Sequence, residues 1–413
     1  MTDLSATSVQ HTLDVAPPLL PTTILHNDAE AIAAAHELAG AVRLSAATRD
    51  RNRHLPWSEI EQFTRSGLSG ISVPRAYGGA QVSFVTVAEV FRILSAADPA
   101  VGQIPQNHFG ILNSLIGSAN EAQKKALFEG VLHGWRIGNG GPERGTKNTL
   151  DVRARLTADG DQFLLNGQKF YSTGALFAHW VAVKALNEEG QQVLVFVERG
   201  TPGLHIVDDW SGFGQRTTAS GTVLLENVRV SGDFVIENWK LGLSPNIQGA
   251  VSQLIQAAID AGIAREAIDD SIAFVRERSR PWIEANVERA SDDLYVIADI
   301  GKLKLELHAA EALLRKAGRV LDEISASPIT EQSAARASIV VAEAKVLTTE
   351  IALQASEKLF ELAGSRATLA EFNLDRHWRN ARVHTLHDPV RWKVHAVGAY
   401  HLNGTLPARH SWI

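Results

Sequence analysis

Residues 151–170 read DVRARLTADGDQFLLNGQKF, and this stretch decides which kind of fold the chain can adopt. Apolar and polar residues alternate over 152–156, as in a strand with one buried face. Residues 163–165 are predicted to form the strand that pairs with it. Asp159-Gly160 and Asn166-Gly167 are residue pairs that favour tight turns between strands. The same texture of short strands and turns continues to about Val230, which predicts a small antiparallel sheet or barrel in the middle of the chain.

Helical patterns flank this central segment on both sides. Before it, apolar residues recur at helical spacing from Asn27 to Arg92 and again over 121–132. After it, Leu294–Ile324 and Ser333–Leu362 are long runs rich in Ala, Leu, Glu and Lys, which is typical of an antiparallel helix bundle. The order predicts a flexible tail over 1–23, an N-terminal helical domain over 24–137, a central β domain over 138–243, and a C-terminal helical bundle with its tail over 244–413.

The composition argues against several classes of protein. The 413 residues carry 40 Lys and Arg against 46 Asp and Glu, and the resulting net charge of -6 argues against electrostatic binding of nucleic acid. The chain has no Cys, which excludes disulfides, thiolate metal sites and iron–sulfur clusters. Its single Met is the first residue. This scarcity of sulfur leaves two interpretations open: compositional drift, or selection by sulfur limitation or by peroxide, which oxidises thiols and thioethers.

The N-terminus and the hydropathy predict a cytoplasmic protein. Residues 1–21 lack the basic region of a signal peptide, and Pro17, Pro18 and Pro21 interrupt their apolar stretch. No segment approaches the ~18 consecutive apolar residues that a membrane-spanning helix needs. We therefore expect no membrane association.

Several short motifs resemble those of the acyl-CoA dehydrogenase superfamily, over about residues 27–400. Gly67–Gly79 is similar to the N-terminal signature of that family, and Lys169–Gly174 is similar to its flavin-contacting strand. The resemblance implies an α+β fold with an N-terminal helical domain, a central antiparallel β domain and a C-terminal four-helix bundle. A closer likeness to the sulfur-acquisition oxidoreductases (SfnB-type) rests on Gln103–His108, Asp209–Arg216 and His384–Pro389, and the last two segments also resemble dibenzothiophene monooxygenase.

The resemblance places a flavin between the β domain and the C-terminal bundle. It implies that Tyr171, Ser172 and Thr173 lie along the isoalloxazine ring, with Thr173 reaching N5 or O4. Asn139 would contact the ring or the substrate, and Trp210 would form a wall of the pocket. Ordinary roles remain open for these residues, as strand formers, as a loop-capping amide for Asn139, and as core for Trp210.

The glutamate base of a dehydrogenase is missing. Members that desaturate acyl-CoA thioesters use a Glu carboxylate to abstract a proton next to the carbonyl. The corresponding stretch here, His384–Pro389, contains no Glu, and a second known position near Ala258 and Gly262 offers only Asp260 nearby. This departure argues against acyl-CoA desaturation.

The candidate catalytic residues are histidines. Oxygen activation on a reduced flavin requires a hydrogen-bond donor, a dry pocket and a proton source, and His can supply donor and proton near neutral pH. We expect His387 beside the reactive part of the flavin, with His384 supporting it, and His108 closing the pocket from the N-terminal domain. Structural histidines and a metal site at His384, His387 and Asp388 are the alternatives, and no metal is predicted.

Two arginines bear on which flavin is bound. FAD-dependent members hold the ADP half with help from a partner subunit, through an Arg followed by Gln-Phe-Gly. Here Arg278 is followed by Ser-Arg-Pro-Trp. Glu361-Leu362 stands where FAD-dependent members have a Gly pair, and a bulky, anionic pair is a poor neighbour for a pyrophosphate. These departures favour FMN, with FAD as the alternative, and Arg278 or Arg280 of a second chain as the phosphate contact. A solvated helix end is the ordinary role for both arginines.

The leading hypothesis is a two-component flavin-dependent monooxygenase for sulfur acquisition. It would use O2 and reduced FMN, supplied by a separate flavin reductase, to oxygenate a small organosulfur compound. No GxGxxG loop for a nicotinamide cofactor is present. The superfamily implies a homotetramer, or at least a dimer. The alternatives are an FAD-dependent acyl-CoA dehydrogenase-type oxidoreductase and a flavin-free binding or scaffold protein.

Overall fold

The computed structural model describes residues 15–413, which form twelve α-helices and eight β-strands in the order helices, strands, helices. Asn27 caps the first helix as predicted, because its side chain accepts a hydrogen bond from the Glu30 N–H at 2.9 Å. The leading helices are α1 (Asp28–Arg43), α2 (Ala46–Asn52), α3 (Trp57–Arg65), α4 (Phe84–Ala97), α5 (Pro99–Gln103), α6 (Gln106–Ser118) and α7 (Glu121–Leu132).

The segment before α1 packs onto the fold. Leu20 is buried, the Thr22 hydroxyl donates to the Leu132 carbonyl at 2.5 Å, and the Thr23 N–H donates to the Arg65 carbonyl at 3.0 Å. Leu20, Thr22 and Thr23, at the end of the predicted flexible tail, are therefore anchored on the fold, whereas Val15 and Leu19 are exposed. The rest of that predicted tail, residues 1–14, lies outside the described residues.

The central sheet is mixed rather than purely antiparallel. Its strands follow the order β6-β7-β3-β2-β4-β5-β8, and β1 pairs with β4. Five pairings are antiparallel, but β1–β4 and β2–β4 are parallel, because the chain returns to β4 through longer connections. The strands are β1 (Ile137–Gly140), β2 (Arg155–Asp159), β3 (Gln162–Lys169), β4 (Trp180–Leu186), β5 (Gln192–Glu198), β6 (Leu204–Val207), β7 (Thr222–Ser231) and β8 (Val235–Ile236).

One predicted turn is a β-bulge instead. The turn at Asp159-Gly160 joins β2 to β3 as expected, but Asn166-Gly167 lies inside β3, which continues to Lys169 along β7. The register shifts between Leu165 and Gly167, and a Cβ on Gly167 would lie 2.6 Å from the Ala154 Cβ. Only glycine fits this bulge, so the same dipeptide that favours a turn here bends a strand.

The C-terminal domain is built on three long helices, α8 (Gln248–Glu277), α9 (Leu294–Ser325) and α10 (Glu331–Ala363). The predicted fourth helix of the bundle is divided into two short ones, α11 (Asp375–His384) and α12 (Arg391–Asn403). The break falls at His384–Pro389, since proline removes a backbone donor and ends helices. Of the helices in residues 15–413, none has the length and apolar character needed to cross a bilayer.

Helix α4 crosses α8 at a small-residue contact. A Cβ on Gly262 would lie 2.6 Å from the Arg92 carbonyl oxygen and 2.8 Å from the Ser95 Cβ. We expect Gly262→Ala to lower the free energy of unfolding by about 1–3 kcal/mol, because the packed helices must separate. Gly301 on α9 is the matched control, since a Cβ there meets nothing within 4 Å. In urea unfolding, the free energy of unfolding of Gly301→Ala should equal or exceed that of the parent protein. Equal free energies of unfolding for the two variants would contradict the close crossing.

Candidate active site

Asn139, at the end of β1, fastens the segment that follows β3. Its backbone N–H donates to the Thr173 carbonyl at 3.2 Å, and its side-chain Nδ2 donates to the Tyr171 carbonyl at 3.2 Å. Its Oδ1 accepts from the Gly141 N–H at 3.0 Å. The side chain is thus a loop-fixing amide, and one Nδ2 hydrogen is left for a ligand.

The segment 171–173 presents an aromatic ring and two hydroxyls. Tyr171 has a left-handed backbone with φ of 59°, and half of its side chain is exposed beside Trp210, with the ring centroids 6.2 Å apart. The Ser172 Oγ is buried and finds no hydrogen-bond partner among residues 15–413. The Thr173 hydroxyl shares a 2.7 Å hydrogen bond with Ser220. The predicted flavin-contacting residues therefore lie together, although Thr173 already has a partner.

The loop around Trp210 connects the segment 171–173 to the C-terminal domain. The Trp210 Nε1 donates to the Gln215 carbonyl at 2.9 Å, so the polar end of the indole is satisfied. The Gln215 N–H in turn donates to the Asn380 Oδ1 on α11 at 2.7 Å. A second link runs through α6, where the Gln106 Nε2 donates to the Ser252 Oγ on α8 at 3.2 Å.

The histidine pair belongs to a buried chain of hydrogen-bonding groups. The His384 Nδ1 lies 2.5 Å from the Asp260 Oδ1, and its Nε2 lies 2.7 Å from the Gln256 Oε1. The Gln256 Nε2 lies 3.2 Å from the His387 Nε2, and the His387 Nδ1 lies 3.0 Å from the Asp388 Oδ1. Gln256 and Asp260 are one turn apart on α8, so one helix face organises both histidines.

Lysines close the two ends of this chain. The Lys345 Nζ on α10 donates to the Asp260 Oδ2 at 2.6 Å, and the Lys393 Nζ on α12 lies 2.9 Å from the Asp388 Oδ2. Burial alone would raise the pKa of Asp260, but Lys345 and His384 outweigh it and lower that pKa. The pKa of Asp388 is likewise lowered despite burial, through its hydrogen bond to His387 and the charges of Lys345 and Lys393. Both carboxylates are therefore ionised at neutral pH.

Burial lowers the pKa of His384, and the charge of Lys345 adds to this, while Asp260 opposes it. The His384 side chain is fully buried, whereas 26% of the His387 side chain is exposed. His387 is thus the member of the pair that a ligand can reach. Across residues 15–413 no group of three or more His, Asp or Glu side chains is placed to hold a metal ion.

The C-terminal segment returns to His387. The Trp412 ring lies 5.0 Å from the His387 ring, and the Trp412 carbonyl accepts from the Lys393 Nζ at 2.9 Å. The Gln253 Nε2 donates to the Ser411 carbonyl at 3.2 Å, and Ile413 is buried. Residues 411–413 therefore form a wall of the site that no sequence pattern indicated.

His108 lies elsewhere and has a structural role. It is buried on α6, with its Nε2 2.9 Å from the Ser69 carbonyl oxygen and its Nδ1 accepting from the Ile137 N–H at 3.1 Å. Residues two apart on a helix point to nearly opposite sides, and Gln106 is the one that contacts α8. The structure therefore does not bring His108 to the histidine pair as predicted. It fastens the N-terminal domain to β1 instead.

This burial makes His108 a source of acid sensitivity. Desolvation lowers the pKa of His108 from 6.5 to about 4. Because the unfolded chain binds the proton first, the free energy of unfolding should fall as the pH drops from about 6.5 to 4, by about 3 kcal/mol for this residue. Urea unfolding across this pH range should show a smaller decline in His108→Gln than in the parent protein. An identical decline in both would contradict a buried neutral imidazole.

Arg278 and Arg280 lie at the far end of α8. Both are exposed, and the Arg278 guanidinium lies 5.3 Å from the centre of the Phe372 ring. Asp260 is about 27 Å away along the helix axis. The two arginines therefore cannot serve the site around Asp260 in their own chain, and the predicted role requires a second chain.

The residues present fit a flavin. An isoalloxazine ring offers flat faces for Tyr171 and Trp210 and a hydrogen-bonding edge for polar groups. Ser172 Oγ and Gln103 Oε1 are buried atoms without a partner in the described chain, and such atoms call for a ligand or water. The Asn139 Nδ2, which donates one hydrogen to the Tyr171 carbonyl, has a second hydrogen available for the same ligand.

Comparison with known proteins agrees with this site. Models of the acyl-CoA dehydrogenase N-terminal, middle and C-terminal domains match residues 29–134, 142–228 and 254–392. The chain belongs to the acyl-CoA dehydrogenase family, and the resemblance predicted from its motifs is confirmed.

Several of its similar relatives carry the names of monooxygenases. A dibenzothiophene monooxygenase of Rhodococcus erythropolis is 33% identical over 399 residues, covering 92% of this chain and 95% of the relative. A probable FMNH2-dependent monooxygenase, SfnC of Pseudomonas putida, is 29% identical over 391 residues, covering 92% and 96%. The crystal structure of FMN-bound TdsC from Paenibacillus sp. A11-2 superimposes with a TM-score of 0.88 at 29% identity, covering 93% of this chain and all of that one.

Proposed function

We propose that this protein is the oxygenase component of a two-component monooxygenase, which uses reduced FMN and O2 to oxygenate a small organosulfur compound in the cytoplasm. The observation that carries the proposal is the chain Asp260–His384–Gln256–His387–Asp388, in which both carboxylates are held by cationic or hydrogen-bonding partners and neither is left free to act as the base of a dehydrogenase. The names of the similar relatives support the same chemistry.

Reduced FMN supplies the electrons that activate O2 when it is bound. The protein contributes a proton-holding group at His387 Nε2, held in place by the Asp388 carboxylate on the other side of the ring. His384 and Gln256 orient that ring from the buried side. Trp412 and the packed tail limit the access of water, which favours transfer of oxygen to the substrate over release of peroxide.

Acyl-CoA desaturation is the weaker candidate. Asp260 is the carboxylate near the known base position, but its Oδ1 is held by His384 and its Oδ2 by Lys345 and Thr349. A carboxylate that is fully buried and hydrogen-bonded on both oxygens cannot abstract a proton from a substrate carbon.

We assign the FMN phosphate to Arg278 or Arg280 of a second subunit in a homo-oligomer, and we propose a homotetramer. Support comes from the surface beside these arginines, where Trp282 and Ile283 are exposed. Exposed apolar residues next to cationic groups fit a subunit contact that borders an anionic ligand.

The test supplies the purified protein with reductase-generated FMNH2 and O2 and offers two substrate classes, dibenzothiophene and small alkyl sulfides or sulfones. Oxygenated product identified by mass spectrometry supports the proposal. The substrate class that is turned over indicates how large a molecule the site admits. Tightly bound FAD that is bleached by an acyl-CoA would support the dehydrogenase instead.

Trp412 should limit loss of peroxide from the site. An aromatic contact of this kind is worth about 0.5–1.5 kcal/mol, so Trp412→Ala should raise the peroxide released per FMNH2 consumed roughly two- to tenfold. Trp392→Ala is the control, since that ring is exposed on α12. A Trp412→Ala enzyme with parental coupling would show that the tail does not wall the site.

A further inference from the structure

Gln256 lies between the two histidine rings and contacts both. Its amide has one accepting end and one donating end, at 2.7 Å from the His384 Nε2 and 3.2 Å from the His387 Nε2. The bridge is unusual because the two Nε2 atoms of the pair face opposite ends of a single neutral group. The protonation states of the two rings are therefore not independent.

The other nitrogen of each ring is fixed as an N–H. The His384 Nδ1 faces the Asp260 carboxylate at 2.5 Å, and the His387 Nδ1 faces the Asp388 carboxylate at 3.0 Å. Both carboxylates are ionised, so a bare nitrogen at either position would meet a negative oxygen. Each ring must therefore carry its Nδ1 hydrogen, and only the two Nε2 positions can vary.

The amide permits one hydrogen on those two positions. With none, a bare ring nitrogen would face the amide oxygen, lone pair against lone pair. With two, a ring N–H would face the amide N–H. With one, the protonated ring donates to the amide oxygen and the amide N–H donates to the other ring, so every group is satisfied.

We propose that Gln256 is a positioning residue that makes His384 and His387 share a single extra proton, and that the orientation of its amide decides which ring carries it. When the proton leaves the His384 Nε2 and one is bound at the His387 Nε2, the amide turns by half a rotation and the total charge of the pair stays at one. The use of this proton in oxygen transfer rests on the proposed function, whereas the proton count does not.

The amide is oriented with its Oε1 towards His384, which places the extra proton on the His384 Nε2. Asp260 and Lys345 face the buried ring, and Asp388 and Lys393 face the other. His410 on the tail is the remaining titratable neighbour, and burial and Lys393 lower its pKa. Burial lowers the pKa of His384, so a half-rotation of the amide that transfers the extra proton to the His387 Nε2 relieves a buried charge and brings the proton to the more accessible ring.

Neutron diffraction on deuterated, flavin-free crystals at about pH 8 counts these protons directly. The parent protein should show three deuterons on the two rings, one on each Nδ1 and one shared between the Nε2 atoms. Gln256→Glu has the same shape but two accepting oxygens, so it should show four. Gln256→Leu should show two, because the amide oxygen that accepts the Nε2 hydrogen is then missing.

Gln248→Leu, at the first residue of α8, is the control on the same helix and should keep three deuterons. Two deuterons in the parent, or the same number in the parent and Gln256→Glu, would overturn the proposal, and the Glu variant decides even if the Leu variant does not fold. The proposed function fails separately, if three deuterons are present and no substrate is oxygenated.

Discussion

Oxygenated product should fall by about 10²–10⁴-fold in His387→Gln, while the oxidation of FMNH2 continues and releases peroxide. His387 is the partly exposed ring of the pair, and its Nδ1 is anchored on Asp388. Glutamine keeps much of the shape but cannot carry a proton at neutral pH. The measurement is the ratio of product to O2 consumed, with reductase and FMN in excess.

His36→Gln on α1 serves as the control for this variant, because His36 is exposed on a helix far from α8 in sequence. It should retain parental product formation. If His387→Gln kept its coupling ratio within about twofold, the assignment of the proton-holding group would be wrong. Loss of FMN binding in the variant would be detected by flavin fluorescence and must be excluded before the ratio is compared.

The second large effect concerns stability. Asp260→Ala should lower the free energy of unfolding by about 3–5 kcal/mol, because it leaves the buried Lys345 ammonium without its 2.6 Å partner. The double variant Asp260→Ala with Lys345→Met should be less destabilised than the sum of Asp260→Ala and Lys345→Met, since no uncompensated Lys345 charge remains. Denaturant unfolding of the four proteins gives the coupling energy.

The pH dependence of this effect has a defined sign. The folded-state pKa of Asp260 is lowered from 3.8, so its contribution is complete above that value and is lost as the pH falls through the folded-state pKa. The difference between the parent and Asp260→Ala should therefore be constant near neutral pH and shrink in strong acid. Additive single variants would mean that the two charges do not interact.

Much of the fold could be predicted because it depends on local patterns. The helices predicted over 294–324 and 333–362 correspond to α9 and α10 within two residues at each end. The turn predicted at Asp159-Gly160 joins β2 and β3. Asn166-Gly167 predicts a turn where the structure has a bulge, because the dipeptide that favours turns also suits a bulge, and only the pairing with β7 distinguishes them.

The site was harder to predict because its members come from distant segments. His384 and His387 can be singled out from the sequence because they lie three residues apart. Gln256 and Lys345 lie on helices whose sequences show only ordinary packing and surface patterns. Lys345 is almost fully buried, and nothing in the helical periodicity of α10 marks it as paired with Asp260. His108 shows the converse, since a histidine in a suggestive motif satisfies two backbone groups instead.

The central claim is that this protein, which has the family fold but lacks the glutamate base, transfers oxygen to a sulfur compound. Its most direct test is turnover under 18O2 with reductase-generated FMNH2, followed by mass spectrometry of the sulfur compound. The account predicts a product that carries one 18O atom for each O2 consumed in coupled turnover. Peroxide as the sole oxygen product from every sulfide, sulfone and thiophene offered, or a product whose new oxygen comes from water, would contradict it.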